Sequence, residues 1–120
     1  MTTVLLADDQ PVYRRAARSV VRATPGFSVV GEAASGEEAV ALVEALRPDV
    51  VLLDIRMAGI GGIEAARCIA AARPETTTIL ISTYRREDLP PEASTCGAAG
   101  YVHKADLEPS VLRRVYCSAR

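Results

Sequence analysis

Residues 50–62 read VVLLDIRMAGIGG, an apolar run that ends in a carboxylate and a glycine-rich turn. The run from Val50 to Leu53 predicts a central parallel strand, because a strand covered by helices on both faces lacks the polar alternation of a half-exposed strand. Asp54 follows directly, and a buried ionised carboxylate requires a cation or several hydrogen-bond donors. In open parallel sheets, ligands bind in the crevice at the carboxyl ends of the strands. The sequence therefore predicts that Asp54 lies at a ligand-binding edge of a sheet.

Strand-like and helix-like patterns alternate on either side of this run. Further strands are predicted at residues 3–7, 27–33, 77–82 and 100–103, and the strand at 27–33 is expected at a sheet edge. Helices are predicted from Pro11 to about Ala23, from the cap Ser35 to Pro48, from about Ile63 to Arg73, and after a cap at Asp106. This alternation predicts one α/β domain, a doubly wound five-stranded parallel sheet with helices on both faces.

Two of the helical segments carry specific expectations. Residues 85–97 contain Pro90, Pro91 and Gly97, so only a short helix beginning near Pro91 is predicted there. In the first helix, the residues expected to face the core are Val12, Ala16, Val20 and Ala23. The opposite face carries Arg14, Arg15, Arg18 and Arg22. That basic face is either a solvated surface or a docking surface for an acidic partner.

Length and composition exclude several classes of protein. A chain of 120 residues with a net charge of −1 gives no general argument for binding nucleic acid or membranes. No apolar run approaches the roughly 20 residues of a membrane span, and no signal peptide precedes the first strand. The three cysteines lack a CxxC spacing, which favours reduced thiols. We therefore expect a soluble, cytoplasmic protein.

Polar residues end four of the predicted strands and should meet at one edge of the sheet. They are Asp8 and Asp9, Asp54, Ser82 and Lys104. Three clustered carboxylates would repel one another by up to ~4 kcal/mol per close pair at an effective dielectric constant near 20. Lys104 supplies one positive charge, and a hard cation with oxygen ligands, Mg²⁺, would supply the rest.

This set of residues predicts phosphoryl chemistry. If Asp8 and Asp9 hold the metal, the Asp54 carboxylate is free to attack phosphorus and form an aspartyl phosphate. Lys104, the Ser82 hydroxyl and the metal would then neutralise the charge on the phosphoryl oxygens.

Four motifs, LLADD, LLDIRMAGIGG, LIST and GAAGYVHK, occur in this order along the chain. In these motifs and their spacing the chain resembles a two-component response regulator receiver domain. Within that family, the end of the sequence looks most similar to the NarL/FixJ type. The resemblance covers essentially residues 1–120 and implies the flavodoxin-like strand order 2-1-3-4-5. It implies Asp54 as the phosphoacceptor, with Asp8, Asp9, Asp54 and the Arg56 main-chain carbonyl around the metal.

The resemblance also implies how a signal is made and passed on. Ser82 would follow the phosphoryl group, Tyr101 would change rotamer with it, and Arg56 and Tyr84 would tune the lifetime of the phosphorylated state. Such a domain catalyses its own phosphorylation and dephosphorylation and is not a conventional enzyme. The implied partners are a sensor histidine kinase, a second copy bound through the face from the fourth to the fifth helix, and DNA through an effector domain absent from these residues.

Three departures from the family pattern concern the turns beside the site. Ala58 stands where receivers often have proline, Gly61 stands where an aspartate often precedes the helix, and Ala105 follows Lys104 where proline is common. The first two changes are expected to loosen the turn after Asp54, and the third predicts a trans peptide bond. The alternative function is a receiver-like module that regulates a partner by docking, without phosphorylation.

Overall fold

Five strands form one parallel sheet in the computed structural model, which describes residues 1–119. They are β1 Thr2–Ala7, β2 Phe27–Ala33, β3 Val50–Asp54, β4 Thr77–Ser82 and β5 Gly100–His103, and they lie in the order β2-β1-β3-β4-β5. Every pairing is parallel. The predicted fold class, the strand order and the edge position of β2 are confirmed.

In the described part of the chain, four α-helices cover the sheet. They are α1 Pro11–Arg22, α2 Gly36–Leu46, α3 Gly61–Ala72 and α4 Pro109–Ala119. None of the helices in residues 1–119 is long and apolar enough to cross a membrane. A single receiver domain over residues 1–120 stays a prediction, and its last residue, Arg120, lies outside the described residues.

The central strand is buried on both faces, as its unbroken apolar run predicted. Val51 and Leu53 belong to a core cluster with residues of α2 and α3. Val50 and Leu52 belong to a second cluster with residues of α1 and α4. Because β1, β3 and β4 pair side by side, their carboxyl ends meet at one edge of the sheet.

The predicted buried face of α1 is wrong by one residue. Val12 is 71% exposed, whereas Ala17 and Val21 are buried and Tyr13 packs against the same cluster. Ala16 and Ala23, which were also expected to face the core, are exposed. Both faces have apolar residues at helical spacing, so the pattern alone left the phase of the helix undetermined.

Contacts with β2 help to fix that phase. The Nε atom of Arg14 lies 3.3 Å from one Glu32 oxygen, and the Nε atom of Arg18 lies 2.6 Å from the other. Two of the four arginines of the expected basic face, Arg14 and Arg18, therefore form ion pairs with β2. Arg15 and Arg22 remain exposed.

The fourth crossover differs from a regular βα unit. The predicted short helix does begin at Pro91, but it is a 3₁₀ turn, Pro91–Ser94, and a separate 3₁₀ turn, Arg86–Asp88, precedes it. The prolines explain this, because each removes a backbone N–H that an α-helix would use. The expected cap at Asp106 is wrong: Asp106 ends a third 3₁₀ turn, Lys104–Asp106, and α4 begins at Pro109. Proline suits the first position of a helix, where no N–H is needed.

Candidate functional site

The sheet edge brings together the side chains that the sequence placed there. Asp8, Asp54 and Ser82 are buried, with exposures of 2%, 4% and 1%, while Asp9 is exposed. Lys104, at the end of β5, has a side chain only 9% exposed. One oxygen from each of Asp8, Asp9 and Asp54 lies within 4.8 Å of the other two.

Lys104 links two of these carboxylates. Its Nζ atom lies 2.7 Å from Asp8 Oδ2 and 3.5 Å from Asp54 Oδ2. The other Asp54 oxygen accepts a long hydrogen bond, 3.4 Å, from the backbone N–H of Arg56. The ammonium therefore lies between the candidate phosphoacceptor and a candidate metal ligand, nearer to the latter.

The environment of Asp54 changes its acidity. Burial, followed by the neighbouring charge of Asp8, raises the pKa of Asp54 from 3.8 to about 6, although Lys104 acts in the opposite direction. Removing a carboxylate from water disfavours its charged form, and a second carboxylate disfavours it further. A bound cation would oppose both effects.

The carboxylates fit a hard divalent cation. The buried Asp8 Oδ2 accepts no hydrogen bond with acceptable geometry from residues 1–119, although it forms the ion pair with Lys104. Its other oxygen accepts a hydrogen bond from the N–H of Gln10 at 2.8 Å. A set of three carboxylates with one oxygen from each within 4.8 Å of the other two matches the preference of Mg²⁺ for a few carboxylates completed by water or phosphate oxygens.

The turn after β3 is held by contacts from other elements. Asp9 Oδ2 accepts from the N–H of Ala58 at 3.1 Å, and the Ala58 carbonyl accepts from the N–H of Gly36 at 3.0 Å. Glu37 Oε1 accepts from the N–H of Ile60 at 3.0 Å, next to the first residue of α3. This turn lacks the proline and aspartate that are common in the family, and hydrogen bonds to Asp9 and Glu37 hold it instead. The sequence did not predict these contacts.

Glycine is required where this turn meets the strand. A Cβ atom at Gly62 would overlap the backbone carbonyl of Asp54, and one at Gly59 would overlap the Glu37 carboxylate. Gly59 and Gly61 both have φ of +81°, in the region that favours glycine. The bond between Lys104 and Ala105 is trans, as predicted.

The predicted switch residues lie on adjacent strands. Ser82 Oγ accepts from the N–H of Tyr84 at 3.1 Å. The Tyr101 hydroxyl donates to the carbonyls of Ser82 and Tyr84, with a distance of 3.2 Å to the former. Movement of the β4 end is thereby connected directly to the Tyr101 ring.

Arg56 and Tyr84, predicted to tune the lifetime of the phosphorylated state, contact one another. Arg56 Nη1 donates to the Tyr84 hydroxyl at 2.8 Å, and the guanidinium carbon lies 5.5 Å from the ring centre. The pair joins the end of β3 to the end of β4.

Tyr13 contacts the site and His103 lies beside it, and sequence reasoning missed both roles. Tyr13 of α1 lies under the Lys104 ammonium, and the helix phase that would have placed it there was predicted incorrectly. His103 accepts from the N–H of Ala105 through Nδ1 at 3.2 Å, so its neutral form carries the proton on Nε2 and donates to the Thr83 carbonyl at 2.9 Å. His103 thus connects β5 to the loop after β4.

Comparison with known proteins identifies the family. The family model described as response regulator receiver domain matches residues 4–115. The chain is 39% identical to the response regulator UvrY of Escherichia coli O157:H7 over 123 residues, covering 100% of this chain and 56% of that protein. It is 38% identical to a transcriptional regulatory protein, YxjL, of Bacillus subtilis, described as uncharacterized, over 98% of this chain and 54% of that protein. The chain therefore spans little more than half the length of these curated relatives.

Solved structures agree with the sequence matches. A LuxR-family two-component response regulator from Aurantimonas sp. SI85-9A1 superposes with a TM-score of 0.86 at 30% identity, over 99% of this chain and 86% of that one. The response regulator domain of Thermotoga maritima CheB gives 0.87 at 28% identity, over 99% and 96%. The signal receiver domain of the putative response regulator NarL from Mycobacterium tuberculosis gives a TM-score of 0.89 at 31% identity, over 98% and 95%, which confirms the expected NarL/FixJ type. The family model spans residues 4–115, and both curated relatives are more than 30% identical over nearly all of this chain, so this chain belongs to the response regulator receiver domain family.

Proposed function

We propose that Asp54 is a phosphoacceptor for a sensor histidine kinase. An Asp54 oxygen attacks the phosphorus of a phosphohistidine, the P–N bond breaks, and its electron pair returns to the imidazole nitrogen. The observation that carries the proposal is the Lys104 ammonium, 3.5 Å from Asp54 Oδ2 and 2.7 Å from Asp8 Oδ2. It is placed to meet negative charge that develops on the transferring group.

Asp8 and Asp9 would hold a Mg²⁺ ion, with Asp54 and the Arg56 main-chain carbonyl as further ligands. The ion would supply charge neutralisation for the phosphoryl oxygens. The close approach of one oxygen from each of the three aspartates supports this assignment. Asp9 would in addition couple the ion to the turn after β3 through its hydrogen bond with Ala58.

Dephosphorylation requires water to reach the phosphorus. Attack by water breaks the bond between phosphorus and the Asp54 oxygen, which leaves with its electron pair as a carboxylate. Arg56 and Tyr84 form a paired side-chain layer between the ends of β3 and β4, and this contact supports a role in setting how easily water enters. Substituting either residue would then change the lifetime of the phosphorylated state more than the rate of its formation.

Phosphorylation would be passed on as a shift in conformational population. The Ser82 hydroxyl, freed from the N–H of Tyr84, would bind the phosphoryl group, and Tyr101 would follow through its bond to the Ser82 carbonyl. The surface from the fourth crossover to α4 would change its affinity for a second copy of the domain. In a longer protein it would control a DNA-binding effector domain and transcription.

The proposal is tested by incubating the protein with acetyl phosphate and Mg²⁺ and measuring its intact mass. The expected result is one added phosphoryl group in wild-type protein. The group should not form when EDTA replaces Mg²⁺, and it should not form in Asp54→Asn. Asp88→Asn, which changes an exposed carboxylate on a 3₁₀ turn, is the matched control and should be phosphorylated normally. An unmodified wild-type protein, or an Asp54→Asn variant that gains the same mass, would reject phosphorylation in favour of a docking module.

A further inference from the structure

Tyr13 makes two contacts with Lys104 from the first turn of α1. The Lys104 Nζ atom lies 4.4 Å from the centre of the Tyr13 ring, which is the geometry of a cation–π contact. The Tyr13 hydroxyl donates to the Lys104 carbonyl at 3.2 Å. One side chain on a helix thus binds both ends of a lysine that is 91 residues away in the sequence.

The lysine that Tyr13 contacts is the only one in the chain, beside thirteen arginines. A lysine side chain has four flexible torsions and a compact charge, so its position depends on what surrounds its ammonium group. Here Asp8 is the nearer carboxylate, and with no other contact the ammonium would be free to move fully to it. The face of the Tyr13 ring attracts the ammonium as a third group, in addition to Asp8 and Asp54.

We propose that Tyr13 is a positioning residue that holds the Lys104 ammonium between Asp8 and Asp54, where it is ready to bind a phosphoryl oxygen. The inference rests on the proposed phosphorylation of Asp54 and adds a residue to that reaction. The ring provides the attraction, and the hydroxyl fixes the ring against the Lys104 backbone.

The surroundings of Tyr13 keep its hydroxyl as a donor. Burial, and then the charges of Asp8 and Asp54, raise the pKa of Tyr13 well above its ordinary value. The phenol therefore stays protonated at neutral pH, and an uncharged ring keeps its attraction for the ammonium.

An ordinary packing role for Tyr13 makes a different prediction, because leucine would fill the space against the α1 and α4 cluster almost as well. The test therefore compares Tyr13→Leu, which removes the ring, with Tyr13→Phe, which keeps it. Phe27→Leu is the matched control, since Phe27 is a core aromatic of the same cluster that contacts Arg113 at 5.3 Å and has no contact with the site among those described.

The first measurement is spectroscopic and requires no phosphorylation. Protein labelled with ¹³C-lysine gives one side-chain signal, from Lys104, and the ring current of Tyr13 should shift its ε-methylene protons upfield. The shift should persist in Tyr13→Phe and in Phe27→Leu and be lost in Tyr13→Leu. An unchanged Lys104 signal in Tyr13→Leu would overturn the proposal.

The second measurement is the initial rate of phosphorylation by acetyl phosphate at saturating Mg²⁺. Tyr13→Leu should slow the reaction about fivefold, which corresponds to about 1 kcal/mol and to an ordinary cation–π contact. Tyr13→Phe should recover most of the rate. A Tyr13→Leu rate within twofold of wild type, or an equal loss in Phe27→Leu, would contradict positioning by the ring. If wild-type protein gained no phosphoryl group, the proposed function would fail, while the Lys104 signal would still report whether Tyr13 holds the ammonium.

Discussion

At the scale of single residues, Asp54 combines two requirements that oppose one another. In its proposed role as a nucleophile it would have to be ionised, yet its burial and the neighbouring Asp8 favour the protonated form and bring its pKa to about 6. Lys104 relieves only part of this cost. Without a metal, the ionised carboxylates therefore raise the free energy of the folded protein at neutral pH. Binding a cation would lower it again, which favours occupation of the site.

This conflict predicts a pH-dependent effect of Asp54→Asn on stability. The folded protein binds the Asp54 proton more tightly than the unfolded chain does, so stability falls as pH rises from about 4 through about 6. In EDTA, Asp54→Asn should therefore raise the free energy of unfolding by about 1 to 2 kcal/mol at pH 8, and the gain should vanish near pH 4. Urea denaturation at several pH values measures it.

The exposed Asp88→Asn variant serves as the control for that experiment, and its effect should not follow pH in this way. A stabilisation by Asp54→Asn that is equal at pH 4 and pH 8 would show that ionisation of Asp54 is not its cause.

Residues at strand ends were easier to predict than residues on helices. Asp8, Asp54, Ser82 and Lys104 each follow an apolar run, and parallel pairing carries the ends of such runs to one edge. Tyr13 was missed because its position depends on the phase of α1. Two apolar stripes, one residue apart, fit the same sequence. In the observed phase, α1 contacts Glu32 and Lys104, which are distant in the sequence.

At the scale of elements, the turn between β3 and α3 lacks a local helix cap, and a residue of another helix supplies one. Ile60, at the start of α3, has no side-chain cap of its own, but the Glu37 carboxylate of α2 accepts its N–H. A carboxylate at a helix N-terminus also interacts favourably with the helix dipole. The expected loosening of the turn considered only nearby residues and could not include this contact.

Glu37→Ala should therefore lower the free energy of unfolding by about 1 kcal/mol and speed amide exchange at Ile60. Glu37→Gln retains an acceptor oxygen and should keep most of the protection. Denaturant melts and amide exchange followed by NMR measure both quantities. If the alanine variant protected Ile60 as well as wild type does, Glu37 would not be the cap of α3.

The fourth crossover is the element for which local propensity was a partial guide. Its prolines correctly excluded a long helix, but they could not indicate two separate 3₁₀ turns, because that outcome depends on how the segment packs against β4 and β5. Its short turns contain no buried residue, although the following Cys96 is buried.

Residues 86–96 should consequently exchange their amide hydrogens faster than α1, α2, α3 or α4 in the unphosphorylated protein. Few backbone hydrogen bonds connect these turns to the sheet, so local opening should require less free energy than global unfolding. Exchange mass spectrometry on overlapping peptides makes the comparison, and phosphorylation should slow exchange in this segment first. Protection equal to that of α3 before phosphorylation would contradict the prediction.

At the scale of the whole molecule, the two core clusters explain why a chemically unfavourable edge is tolerated. Strands β1, β3 and β4 are fixed on both sides by apolar packing, so the carboxylates at their ends are held together whatever their charge. The sequence predicted this arrangement well because uninterrupted strand patterns and right-handed crossovers leave few alternative topologies.

Binding of a cation at this edge should therefore stabilise the entire fold. At a Mg²⁺ concentration ten times its dissociation constant, the gain is about 1.4 kcal/mol, or roughly 5 °C in melting temperature for a domain of this size. The increase should be absent in Asp9→Asn, in which one predicted ligand loses its charge while an oxygen remains to accept from Ala58. It should also be smaller at pH 5 than at pH 8, because below pH 6 the ion must displace a proton from Asp54. Thermal melts in MgCl₂ and in NaCl of equal ionic strength separate binding from screening; equal increases in the two salts would mean that the acidic edge holds no specific cation.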